Sequence, residues 1–333
     1  MLAGCDQGPR DLAPARGPEL HLVASYPSDG EGLDCQPSSA DCGVPTNAPI
    51  ELRFDRYLDP STAVRQAMAV YSGSEDNAVF LEPEYDVVER VVRYRHFSGL
   101  TFTPGVLYTV ELIVPSQDHP DGFRAFDGAP IAEGEAPLRF NFRTRENAGP
   151  QPSPSPTPGC RDMLDLFARP TSTGAMCSGS GCHRPPAPMG LDLSSGRGLA
   201  TTAIGAVAHE AATGPRPDTP LEDPPRVGVQ MPVVDPGRPG NSYLIYKLIR
   251  NTDNFSAPAG PCATNYQVLL PKGQCLPPSP AESTRLREWF VTGQPMPLAR
   301  TSAAHPHLEQ ADLRAIQSWI AAGAPLEGCD SGP

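Results

Sequence analysis

The chain is short of positive charge. Its 26 Lys and Arg stand against 38 Asp and Glu, a formal net charge of -12. A surface of that sign repels a polyanion, so no nucleic acid is expected as a partner. Charge of either sign is sparse, at 19% of residues, and the acid excess is scattered rather than gathered into a tail, which fits a solubility role. Long apolar runs are missing too: none approaches the roughly 20 residues of a membrane span. There is no phosphate-cradling glycine loop, no H-E-x-x-H helix and no G-x-S-x-G elbow, so hydrolase chemistry has no positive support.

Chain punctuation, by contrast, is plentiful. Pro 42 and Gly 31 among 333 residues indicate short elements joined by many loops, though the content falls short of a disordered composition. The length suits two domains better than one. Nine cysteines point to an oxidising compartment.

The two halves meet at "AGPQPSPSPTPG", residues 148 to 159, where Pro alternates with small residues and favours an extended spacer. The linker is placed at 147–159. Before it the period is two. Ile50, Leu52 and Phe54 alternate with Glu51, Arg53 and Asp55; Tyr108, Val110, Leu112 and Val114 form another such run, as do Leu138, Phe140 and Phe142. Short strands at this spacing predict an all-β, antiparallel sandwich over 20–146. His21, His96 and His119 are isolated and read as surface or loop residues.

After the linker the pattern turns helical. "RDMLDLFA" puts Met163, Leu166 and Phe167 on one face, and "NSYLIYKLI" gives an apolar side of Tyr243, Leu244, Ile245 and Leu248 with Asn241 or Ser242 as cap. "STRLREWFVTG" offers Leu286, Trp289 and Phe290 with Gly293 as a stop. The last helix, in "LEQADLRAIQSWIAAGAP", carries Leu313, Ile316 and Ile320 with Trp319 at the edge, and Gly323 and Pro325 end it.

Three resemblances follow from particular blocks. "MLAGC" resembles the lipobox of bacterial lipoproteins, which implies a diacylglycerol on Cys5 and residues 1–19 as lipobox and tether; the apolar region that precedes such a box is not in this sequence. "SYPSDG", "PIELRFDRYLDPST", "LTFTPGVLYTVEL" and "LRFNFRT" resemble the bacterial Ig-like domain of S-layer and other surface proteins, implying a spacer module. Residues 160–329 resemble the cytochrome c-like modules of exported bacterial proteins. The matching blocks are "CSGSGCH", "GLDLSSG", "DPGRPGNSYLIYKLI", Met296-Pro297 and "IQSWIAAGA", in that order.

The last resemblance implies one covalent haem c on Cys177 and Cys182, with His183 as proximal ligand and Met296 as distal ligand of the iron. Met231, His209, His305 and His307 are competitors for the sixth position. The two cysteines are four residues apart, where a haem-attachment motif ordinarily has two. A Cys177–Cys182 disulfide in a haem-free display module is therefore the open alternative.

Cysteine pairing does not decide between them. Cys35–Cys42 is a short local loop, Cys160–Cys329 brackets the second domain, and Cys262–Cys275 completes the set, leaving 177 and 182 for either fate. The reading is thus an all-β Ig-like sandwich plus a mainly α cytochrome c-like domain. The chain is expected to be a monomer, bound to a membrane through its N-terminal lipid, in the periplasm or at the cell surface as an outer-membrane lipoprotein. It would pass single electrons to a redox partner protein. An open sixth position would instead indicate a haem peroxidase or sensor.

Overall fold

The computed structural model describes residues 17–35, 42–116, 121–134, 136–145, 157–170, 176–179, 182–186, 190–208, 231–249, 279–289, 296, 308 and 310–329. The chain divides into two compact units, whose described residues fall within 17–145 and 157–329. Cys5, Cys262, Cys275, His119, His209, His305, His307, Phe290 and Gly293 lie outside the described residues, as does most of the Pro-rich segment.

The first unit carries strands β1 (Leu20–Tyr26), β2 (Ile50–Phe54), β3 (Met68–Tyr71), β4 (Leu81–Asp86), β5 (Val91–His96), β6 (Leu107–Leu112), β7 (Ile131–Ala132) and β8 (Arg139–Arg143). They form a five-stranded sheet in the order β4-β5-β2-β1-β7 and a three-stranded sheet in the order β3-β6-β8. Ile50, Leu52 and Phe54 of β2 and Tyr108, Val110 and Leu112 of β6 are all buried, as the alternation predicts. Phe102 links the sheets through its ring, 4.3 Å from His96 of β5, 4.7 Å from Tyr108 of β6 and 5.3 Å from Phe142 of β8.

Two expectations change here. The alternation puts Glu51 and Arg53 in water, yet both are buried along with the rest of β2. Their strand is central, and ion pairs with neighbouring residues compensate the loss of water: Glu51 to Arg93 at 2.7 Å and Arg53 to Glu89 at 3.5 Å. The sandwich is also not purely antiparallel, because β1 pairs β7 in parallel, Leu20 opposite Ile131.

Cys35 and Cys42 are joined, with Cα atoms 5.5 Å apart. The loop they close is clamped at its base, where Glu31 and Val44 bridge Phe142 and Thr144 in parallel. Gly32 has φ +79°, and a Cβ there would sit 2.6 Å from the Arg143 carbonyl oxygen. Only glycine suits that spot.

The named elements of the second unit are all helical: α1 (Cys160–Ala168), α2 (Gly196–Gly198) running into a π turn (Leu199–Ala203), a 3₁₀ turn (Pro239–Asn241), α3 (Tyr243–Ile249), α4 (Pro280–Trp289) and α5 (Gln310–Ala321). Helix α1 buries Met163, Leu166 and Phe167, and packs on α5. Cys160 is joined to Cys329 with Cα atoms 5.3 Å apart, tying the start of α1 to the segment after α5. Leu313, Ile316 and Ile320 are buried on α5. Trp319 is fully buried rather than at the edge of that stripe, because its indole N–H donates to the Pro325 carbonyl at 3.1 Å.

Helix α5 ends where Gly323, at φ +92°, donates to Ile320 and the next N–H donates to Trp319, a Schellman arrangement. Helix α3 differs from its reading: all seven residues are buried, Lys247 included, so its apolar side extends around the helix. Ser242 serves the preceding loop, its hydroxyl accepting from Asp235 N–H at 2.8 Å and donating to the Arg238 carbonyl at 3.0 Å.

Candidate functional site

The described residues of the segment from Cys177 to His183, 177–179 and 182–183, are tied together by backbone bonds. Its start is fixed to α1, since Ser178 N–H donates to the Phe167 carbonyl at 2.9 Å. Inside, Cys182 N–H donates to the Gly179 carbonyl at 3.0 Å, and His183 N–H donates back to the Cys177 carbonyl at 3.2 Å. The last contact draws the two cysteine-bearing ends together. Cys177 and Cys182 are nevertheless unlinked, whereas the other described cysteines, 35, 42, 160 and 329, are all in disulfides.

The Cys177 residue is partly exposed, but its sulfur is withdrawn from water. Burial pushes the thiol up to about 12, with the neighbouring Cys182 and Asp312 adding in the same direction. At neutral pH it is a protonated thiol, a weak nucleophile. Asp312 reaches this place from α5 and is held there by an ion pair with Arg169, just past the end of α1.

His183 is also held from its other side. Leu193 N–H donates to the His183 carbonyl at 2.9 Å. Leu193 lies in the "GLDLSSG" block, whose Asp192 carboxylate accepts from the Ser194 backbone at 2.8 Å and the Ser194 hydroxyl at 2.6 Å. The neighbouring block "DPGRPGNSY" is a structural pin: Asn241 donates to the Asp235 carboxylate at 2.7 Å, and Gly237 N–H donates to Ile320 of α5 at 2.8 Å.

One loop therefore brings Cys177, Cys182 and His183 together. Met296 and Met231 stand on separate segments, Met296 partly exposed on a bend and Met231 buried beside Ala208, whose N–H donates to the Met231 carbonyl at 3.1 Å. Among the described residues no group of three or more His, Cys, Asp or Glu side chains is gathered to hold a metal ion. In the first unit His21 sits 3.0 Å from Asp55, and His96 packs on Phe102, so both have structural occupations.

Thioether attachment of a haem needs two reduced thiols, and axial ligation needs an imidazole beside them. The loop offers both thiols unlinked with the imidazole one residue on, so its donor set fits that group. Sequence reasoning missed Asp312, Arg169 and the Leu193 contact. The first two come from elements far apart in the chain, but "GLDLSSG" carried a readable hint, an Asp followed by two Ser that can fold back on its carboxylate.

No protein-family model matches the chain, and no curated protein matches it. Among solved structures it is similar to surface layer protein SbsC, domains 1-6, at TM-score 0.25 and 14% identity over 41% of this chain and 14% of that one. It is likewise similar to the S-layer protein rSbsC(31-844), at TM-score 0.25 and 12% identity over 46% and 17%. A third likeness is to the N-terminal part of the bacterial S-layer protein SbsC, at TM-score 0.23 and 17% identity over 41% and 25%. The chain spans a quarter or less of those proteins, and likenesses of this size carry no conclusion about function.

Proposed function

We propose that this chain is an exported, lipid-anchored, c-type cytochrome-like protein that carries single electrons through one haem on the second unit, with the first unit as an Ig-like spacer of the surface-protein kind. The observation that supports this best is the unlinked Cys177–Cys182 pair, beside His183, in a chain whose other described cysteines are oxidised. Bound there, haem supplies a one-electron iron couple.

Cys177 and Cys182 would hold the haem covalently, and His183 and Met296 would serve as its iron ligands. The two disulfides support export to an oxidising compartment, periplasm or cell surface. A lipid on Cys5 would hold the chain to the membrane, because several acyl chains bind far more firmly than one. The partner is a redox protein, and the chain works as a monomer and as a carrier rather than an enzyme.

The test is expression of the full gene product in a host with haem-maturation machinery, followed by haem staining of a denaturing gel, where only thioether-linked haem survives. Staining is expected, with a low-spin spectrum that His183→Ala abolishes. Met296→Ala should keep the haem and open the sixth site. An open site in the unmutated protein would indicate a peroxidase or sensor instead. A colourless product with a Cys177–Cys182 disulfide would sink the cytochrome reading and leave a stapled display module.

A further inference from the structure

A backbone residue can be held rigid without any contact to its side chain if both its N–H and its C=O are pinned. His183 meets that condition: its N–H donates to Cys177 at 3.2 Å and its C=O accepts from Leu193 at 2.9 Å. With both peptide groups fixed, the backbone dihedrals are set, and so is the direction of the Cα–Cβ bond. Only the two side-chain torsions of the imidazole remain.

The donor on the far side is itself immobilised. Asp192, the residue before Leu193, donates its own N–H to the Thr202 hydroxyl at 2.8 Å, and that hydroxyl donates on to the Gly198 carbonyl at 2.8 Å. Its carboxylate takes two bonds from Ser194, at 2.8 and 2.6 Å, and one from the Ser195 hydroxyl at 3.3 Å. Ser195 in turn accepts the Gly198 N–H at 3.0 Å, starting α2. The packing is close: a Cβ on Gly198 would lie 2.4 Å from the Asp192 carboxylate, so glycine is needed for the turn to wrap it. Leu193 is anchored in the core at 2% exposure. Bonds to a carboxylate are stronger than neutral ones, and these converge on the residue whose neighbour holds the histidine.

From this geometry we infer that Asp192 is a positioning residue for His183. The "GLDLSSG" block is a clamp that presets the direction of the imidazole through the Leu193–His183 backbone bond. The inference rests on the cytochrome reading for what His183 then binds, but the clamp itself is a property of the chain.

The test uses the isotope-labelled full chain and the variants Asp192→Ala, Asp192→Asn and Thr202→Val. Asp235→Ala serves as the control, removing a comparable carboxylate pin, the one that holds Asn241, in a different block. Hydrogen exchange at the Leu193 amide should quicken in Asp192→Ala by about tenfold or more over the control, the scale of one lost charge-assisted bond. Asp192→Asn, which keeps an acceptor for Ser194, should restore most of the protection. In the haem-loaded protein, the low-spin resonance of Asp192→Ala should shift and broaden with haem staining unchanged, because axial-ligand orientation alters the iron signal.

If Asp192→Ala does not fold, Thr202→Val carries the same expectation, since it frees the Asp192 N–H and leaves the carboxylate in place. Leu193 exchange and a low-spin signal that merely follow the Asp235→Ala control would overturn the inference. A full chain that takes up no haem would defeat the electron-carrier reading alone, and the clamp would then stand or fall on Leu193 exchange.

Discussion

Tyr85 is buried in the first unit, and its hydroxyl accepts the Leu58 backbone N–H at 2.9 Å. Replacing it with Phe removes only the acceptor and strands a buried donor. Tyr85→Phe should therefore destabilise the unit by about 1–3 kcal/mol, with a lower urea midpoint and an unchanged slope. His96 makes a different prediction. Burial lowers its pKa below the ordinary 6.5, while a bond to the Ala48 backbone pulls the other way. The fold thus favours the neutral ring, and the stability this contributes is complete above pH 6.5 and is lost as pH falls through the lowered value. The difference between the pH–stability profiles of the unmutated protein and His96→Gln should show that loss below 6.5 and none above. At this scale the sequence was legible where chemistry is local. Cys177, Cys182 and His183 sit together in the chain and in space. Tyr85 and Asp312 were not legible, because each meets its partner across 27 or more residues.

Elements follow their local patterns where one face is apolar and the other wet. Helix α5 is such a case: its stripe is buried and it stops at Gly323, as its spacing and punctuation predict. Strand β2 and helix α3 are covered on every side, and there periodicity names the element but not its surroundings. Edge strand β4 carries Pro83 between Glu82 and Glu84, a composition that discourages a further strand from adding. The clamped loop before β2 yields a third prediction. Gly32→Ala puts a methyl group against the Arg143 carbonyl at a left-handed φ, so a loss of at least about 1–3 kcal/mol is expected. Thermal unfolding of the first unit should show it, while Gly30→Ala, with φ +79° but open space around it, should cost less.

At the scale of the whole molecule the two compact units should unfold as separate transitions. The paired substitution Cys160→Ser and Cys329→Ser opens a loop spanning 169 residues, which in the chain-entropy view is worth roughly 5 kcal/mol. The expected result is a lower midpoint for the transition followed by tryptophan emission, both Trp289 and Trp319 belonging to the second unit, with the first unit's transition unmoved; equal shifts in both would refute the division. The sequence marked two halves by composition, alternation giving way to helical stripes. What holds His183 inside the second half emerged only from three-dimensional neighbours. The Cys160–Cys329 bond also has a mechanical consequence. Tension applied between the chain before residue 160 and the chain after residue 329 passes through one covalent bridge, because the bond joins the points where force enters and leaves. The helices and the Cys177–His183 loop sit on a slack branch in parallel with it. Pulled from both ends, this unit should lengthen by only the few ångströms across the bridge, and its loop should keep its shape while other parts of the chain stretch.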